Sequence, residues 1–138
     1  MPAATADVPV VQIHSISELD KAKSSSRLLF VDFYATWCGP CKQIAPYYEQ
    51  FATQYSSPII TFAKINVNRA FELSDHCLIT AMPTSLIFKD GEEVERWTGT
   101  TTPATLEAKI QSWKQRITPV TRAAHLNNPR SSRVRLST

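Results

Sequence analysis

A chain of 138 residues, 43% of them apolar, is about one domain's worth and can bury a single core without disulfides or metal to hold it. No apolar run approaches membrane-spanning length, which excludes an integral helical membrane protein. The net charge of +3 is unevenly spread, because residues 1–108 carry 8 Lys/Arg against 12 Asp/Glu whereas residues 109–138 carry 7 Lys/Arg and no acid.

The opening MPAATADVPVVQIH has no basic segment leading a long apolar one and no arginine-rich amphipathic pattern, so neither a secretory nor a mitochondrial address is expected. A cytoplasmic setting follows, where thiols are kept reduced and a close cysteine pair signals chemistry or metal rather than a static cross-link. VPVVQIH is rich in β-formers and predicts a first strand. In the next segment Ser15 and Glu18 have capping-box spacing, so a short helix starts there and frays in Ser24 to Ser26. Leu28 to Ala35, LLFVDFYA, is almost continuously apolar, as a strand buried on both faces requires, and predicts the centre of the sheet.

After Cys38 the period changes. Ile44, Tyr48, Phe51 and Tyr55 recur at helical spacing, so a long helix begins at or near Cys38, with Pro46 expected to kink it. PIITFAKINVN predicts another buried strand and RAFELSDHC a short helix. TSLIFKDGEEVERWTG reads as two strands joined at Asp90-Gly91, a dipeptide suited to a tight hairpin turn. A final helix opens with Thr102 as N-cap and Pro103 at its first position, and presents Leu106, Ile110, Trp113 and Ile117 on one face. The expected fold class is therefore α/β: a central mixed five-stranded sheet flanked by four helices, with parallel pairings and a closing antiparallel hairpin. Residues 1–118 form the domain. Residues 119–138 lack periodicity, are rich in Arg, Ser, Asn and Pro, and read as a flexible basic tail.

The stretch DFYATWCGPCKQIAP, Asp32 to Pro46, carries the chemistry. A thiolate, not a thiol, attacks a disulfide, so a redox cysteine needs a neighbour that stabilises negative charge. Cys38 falls where the buried strand turns into the long helix. The free N–H groups of a first helical turn and the positive end of its dipole favour the ionised thiol, and Lys42 adds charge nearby. Cys41, one turn deeper, can approach Cys38 closely enough for a disulfide. Asp32, inside an apolar run, is costly to bury unpaired; desolvation raises its pKa and makes it a proton acceptor near neutral pH. The plain alternative is a strand-end aspartate reached by water. Lys64, on the neighbouring apolar strand, either pairs with Asp32 or is an exposed lysine stem. Pro83, in AMPTSLIF, falls at a strand start; only about one X-Pro bond in twenty is cis, so the residues alone favour trans.

Taken together, WCGPCK with Asp32 upstream, AMPT downstream and FKDGEEVERWTG closing the hairpin closely resemble the thioredoxin family, from about Val8 to Ile117. The resemblance implies the thioredoxin fold and a protein-disulfide reductase in which Cys38 is the exposed nucleophile and Cys41 the resolving cysteine. It also implies that Asp32 assists proton transfer at Cys41, that Lys64 is the lysine near that aspartate, and that the Met82-Pro83 peptide is cis. Gly39 and Pro40 match the dipeptide that keeps the pair reducing. Trp37, Met82, Pro83 and Gly99 match the substrate-binding surface, where an extended peptide is expected to pair with the backbone beside Pro83. No bound cofactor is implied beyond the redox-active Cys38–Cys41 disulfide, which the family recharges from NADPH through thioredoxin reductase. Partners implied are that reductase and disulfide-containing proteins such as peroxiredoxins and other reductases, met by a monomer without nucleic acid or membrane.

Two features depart from the usual pattern, the basic tail and Cys77, which stands where some relatives carry an accessory, regulatory thiol. Two rival readings stay open at this point. A zinc site would need two further ligands, for which His76 and Cys77 are the obvious candidates. Alternatively the cysteines are idle and the chain is a thioredoxin-fold binding or regulatory subunit with little catalytic turnover.

Overall fold

The computed structural model describes residues 9–117; the expected tail, 119–138, lies outside the described residues. In chain order the elements are β1 (Val10–Gln12), α1 (Ile16–Ser25), β2 (Leu28–Tyr34), α2 (Gly39–Tyr55), β3 (Ile60–Asn66), α3 (Phe71–His76), β4 (Thr84–Lys89), β5 (Glu92–Thr98) and α4 (Pro103–Ile117). They build one mixed sheet of order β1-β3-β2-β4-β5. β3 runs parallel to both β1 and β2, and β4 lies antiparallel to β2 and β5. The apolar β2 is thus central, with neighbours on both sides, as its composition requires. Antiparallel pairing reaches this central strand through β4, and only β5 of the hairpin forms the edge.

Period-two alternation splits β2 between two cores. Leu28 and Phe30 point to one face, where Phe62 and Ile87 meet Ile44, Tyr48 and Phe51 of α2 and Leu106, Ile110 and Trp113 of α4. Leu29, Val31 and Phe33 point to the other, against Leu19 of α1, Ile65 of β3 and Leu73 of α3. Phe30 and Phe62 stack with ring centroids 4.7 Å apart, and truncating either would cost about 3–5 kcal/mol. Asp32 continues the Leu28–Phe30 side of the strand, so the pleat aims its carboxyl group at α2.

Local chemistry sets the element ends. The Ser15 hydroxyl accepts the Glu18 N–H at 3.1 Å, while the Glu18 carboxylate accepts the His14 N–H at 2.8 Å. At the hairpin Asp90 and Gly91 have φ of 51° and 88°, the pair of positive values that a two-residue turn matched to strand twist demands. The Thr102 hydroxyl accepts the Thr105 N–H at 3.1 Å and starts α4. α2 runs through Pro46 as one helix of 17 residues. Arg27 ties the pole of the sheet at the start of β2: its guanidinium donates to Asp90 Oδ1 at 3.2 Å and to the Ile117 carbonyl at 3.1 Å.

Candidate active site

The strand-to-helix junction places the cysteines. After β2 the chain turns through Ala35 to Cys38, closed by the Cys38 N–H on the Ala35 carbonyl at 3.2 Å, and enters α2 at Gly39. Cys38 is the N-cap, and its Sγ accepts the Cys41 N–H at 3.2 Å, the place that a serine or aspartate oxygen fills at other helix starts. Pro40, in the first turn, gives up no needed N–H there. Cys38 and Cys41 are disulfide-bonded, with Cα atoms 5.3 Å apart. When the bond opens, the same N–H and the helix dipole face the sulfur that carries charge.

Cys38 was expected to be exposed, but it is 3% exposed in the disulfide-bonded state. The bond and the capping geometry turn its sulfur inward, into a small cluster with Ala35 and Cys41 against which Tyr34, Val67 and Met82 pack. The loop after β3 braces this turn from outside: Asn68 Oδ1 accepts from the Thr36 N–H at 3.2 Å, and the Val67 N–H donates to the Tyr34 carbonyl at 2.9 Å.

Asp32 is 6% exposed, and burial raises its pKa to about 7 against a lowering pull from the Lys64 charge. Its carboxyl group borders an open groove of about 310 Å³ whose walls include Cys41, Lys42, Ala45, Tyr48, Glu49 and Lys64. Cys41, Ala45 and Tyr48 share a side of α2 at spacings of four and three, which is why one groove reaches both Cys41 and Asp32. Lys64 is the register partner of Asp32 in the parallel ladder, but its ammonium pairs with Glu49 Oε2 at 3.6 Å and lies over the Tyr34 ring. A solvent-exposed glutamate outcompetes a buried carboxyl group whose charged form is disfavoured.

The expected docking residues gather beside the disulfide. Trp37 is 67% exposed at the turn, which rules out pure core packing. The Met82-Pro83 peptide is cis, where the residues alone favoured trans. Pro83 stands one residue before β4 and its carbonyl accepts the Gly99 N–H at 2.8 Å, so Gly99 adjoins it. Gly99 has φ of 97°, a conformation that suits glycine. The Thr84 hydroxyl holds the turn by donating to the Ala81 carbonyl at 2.6 Å. Gly39 is exposed, with open space where a Cβ would stand.

Cys77 is the C-cap of α3, half-buried and free, and packs against the second core cluster. Burial pushes its thiol pKa up, only partly countered by Lys23 and Arg96. Among the described residues no group of three or more His, Cys, Asp or Glu side chains is placed to hold a metal ion, and no helix is long and apolar enough to cross a membrane.

Sequence reasoning treated Tyr48 as core and passed over Glu49 and Ser85. Tyr48 is buried and its hydroxyl reaches the Ala63 carbonyl at 2.8 Å and the Phe30 carbonyl at 3.1 Å. A phenol on the seventh residue after Cys41 was the available signal. Ser85 lies opposite Asp32 in the antiparallel register, marked in sequence by a hydroxyl directly before the apolar run Leu86 to Phe88.

The model of the Thioredoxin family matches residues 10–112. The chain is 44% identical over 101 residues to thioredoxin-1 of Saccharomyces cerevisiae, covering 73% of this chain and 95% of that one. It is 42% identical over 103 residues to thioredoxin-1 of Schizosaccharomyces pombe, covering 75% and 97%. The solved structure of Plasmodium falciparum thioredoxin superposes with a TM-score of 0.69 at 36% identity, covering 75% of this chain and 99% of that one. With the mixed sheet, its four helices and a bonded cysteine pair capping α2, these likenesses establish a thioredoxin fold and a thiol-disulfide oxidoreductase, and the chain belongs to the thioredoxin family.

Proposed function

We propose that the protein works in the reducing direction, as a protein-disulfide reductase. The observation that carries this reading is the capping geometry: Cys38 Sγ receives the Cys41 N–H at the start of a 17-residue helix, an arrangement that stabilises the Cys38 thiolate as the nucleophile that opens a substrate disulfide. In the first step the Cys38 thiolate attacks one sulfur of a substrate disulfide. A mixed disulfide forms and the other substrate sulfur leaves as a thiolate. Cys41 then loses its proton to the ionised Asp32 carboxylate through the shared groove, and its sulfur attacks Cys38 Sγ. The mixed disulfide breaks, the second substrate thiolate leaves and is protonated, and Cys38–Cys41 is left oxidised.

Substrate docks as an extended segment over Trp37, Met82, Pro83 and Gly99, with Gly39 and Pro40 tuning the potential of the pair. Lys64 sets the charge around Asp32 through its tie to Glu49. The cycle closes when NADPH-derived electrons arrive through thioredoxin reductase, and disulfide-containing proteins, peroxiredoxins and reductases among them, are the acceptors. A reducing compartment such as the cytoplasm suits this work, because the dithiol must be regenerated there.

The test is reduction of insulin disulfides with dithiothreitol as electron source. Turnover that depends on both Cys38 and Cys41 is expected. A wild-type protein no faster than dithiothreitol alone would instead make the chain a binding subunit with idle cysteines.

A further inference from the structure

Asp32 stands in the wall between two spaces. On one side is the groove shared with Cys41. On the other is a small cavity of about 10 Å³, bounded by Asp32, Tyr48, Pro83, Ser85, Gly99 and Thr101. That volume is the size of one water, and a water there needs two or more polar partners. Ser85 is the direct antiparallel partner of Asp32, so the pleat puts both side chains on the same side of the sheet. Among the described residues, neither the Asp32 carboxyl nor the Ser85 hydroxyl has a hydrogen-bond partner within the protein. The Tyr48 hydroxyl cannot serve Asp32 as donor, since its one hydrogen goes to the Ala63 and Phe30 carbonyls.

We propose that the small cavity is a hydration site in which one water links the Ser85 hydroxyl to the Asp32 carboxyl group, making Ser85 a positioning residue for the proton acceptor. A donor delivered on this side of the carboxylate supports its ionised form, which is the form that must take the Cys41 proton. The remaining surroundings of Asp32 are distinct in kind. β3 contributes the Lys64 charge and α2 contributes Cys41, Tyr48, Lys42 and Glu49, with Tyr34 of β2 at the groove. Trp97 of β5, Thr101 and Leu106 of α4 bring no charge to the cavity. The hydroxyl of Ser85 is therefore the lever on this side.

The catalytic consequence rests on the proton-acceptor role given to Asp32 above. The decisive measurement is read on the carboxyl group itself, so it can fail while disulfide reduction stands, and the reverse. In the full-length oxidised protein carrying a 13C label at the aspartate carboxyl carbons, Asp32 is titrated in wild type and Ser85→Ala. Loss of the hydroxyl should move the Asp32 midpoint up by roughly half a pH unit or more, as expected for losing a hydrogen bond to a charged form. In parallel, a slowly exchanging water should give a cross-relaxation signal at the Ser85 or Gly99 amide, and Ser85→Val, whose side chain fills the space, should abolish it. An Asp32 midpoint that stays put or falls in Ser85→Ala, or a wild type with no such water, overturns the proposal.

Discussion

Asp32 and Lys64 are paired residues of the parallel β2–β3 ladder, yet the lysine ammonium is held 3.6 Å from Glu49 instead. The aspartate is left with the field of a cation but not its contact. That arrangement keeps the carboxyl group able to exchange its proton near neutral pH, because a direct ion pair would hold it ionised far below that range.

The first prediction concerns stability. Burial raises the Asp32 pKa in the folded protein to about 7, above the ordinary carboxylate value, so the folded state binds the extra proton. Stability should therefore fall as pH rises from about 4 to about 7, and the penalty is complete above the folded pKa. Asp32→Asn should remove that slope and be more stable at pH 8, by at most about 4 kcal/mol. Denaturant unfolding at pH 4.5 and pH 8 checks it; equal pH slopes in the two proteins would refute it.

Catalysis should respond in the opposite sense. Asp32→Asn is expected to slow insulin reduction by on the order of tenfold to a hundredfold at pH 7, with loss of an inflection near that pH. An unaltered pH–rate profile would remove Asp32 from the proton path.

Glu49 and Lys64 make a separable pair of tests. Lys64→Gln takes away the cation and should raise the Asp32 midpoint, whereas Glu49→Gln frees the ammonium and should lower it. Shifts of the same sign in both variants would show that the two side chains act on packing, not on charge.

For the cysteines, Cys41→Ser should accumulate a covalent complex with a disulfide substrate, since only the exit step is lost, and Cys38→Ser should form none. Non-reducing gels read the difference directly. Equal trapping by both variants contradicts the order of attack.

Cys77 should behave as a packing residue. It is half-buried with its thiol pKa pushed up, so in the reduced protein at pH 7 iodoacetamide should label Cys38 well before Cys77. Rapid labelling of Cys77, or a dithiothreitol-reversible dimer under mild peroxide that is absent in Cys77→Ser, would instead give it the regulatory role.

The legibility of the chain follows the range of the interactions. Element order was readable because each signal is local: Ser15 and Glu18 at capping spacing, Asp90-Gly91 at the turn, Thr102 before Pro103. The almost continuously apolar run of β2 announced a central strand. The cysteine pair was readable because capping and bonding both act within one helical turn. What stayed hidden depends on pairing across strands. Nothing near Lys64 in sequence says that Glu49 would claim it, and the facing of Ser85 with Asp32 exists only once β4 is registered against β2. The inward turn of Cys38 was likewise missed, since the family picture of an exposed nucleophile does not convey how the bond and the cap orient its sulfur.

The Arg27 clamp has a geometric consequence for the molecule as a tool. It fixes the Ile117 carbonyl at the end of the sheet where β2 begins, while the dithiol lies past the far end of that seven-residue strand, about 20 Å away. The last described residue therefore lies at the pole opposite the reactive sulfurs. A surface or cargo joined directly at Ile117 would leave the redox end facing outward, with the point of attachment behind it.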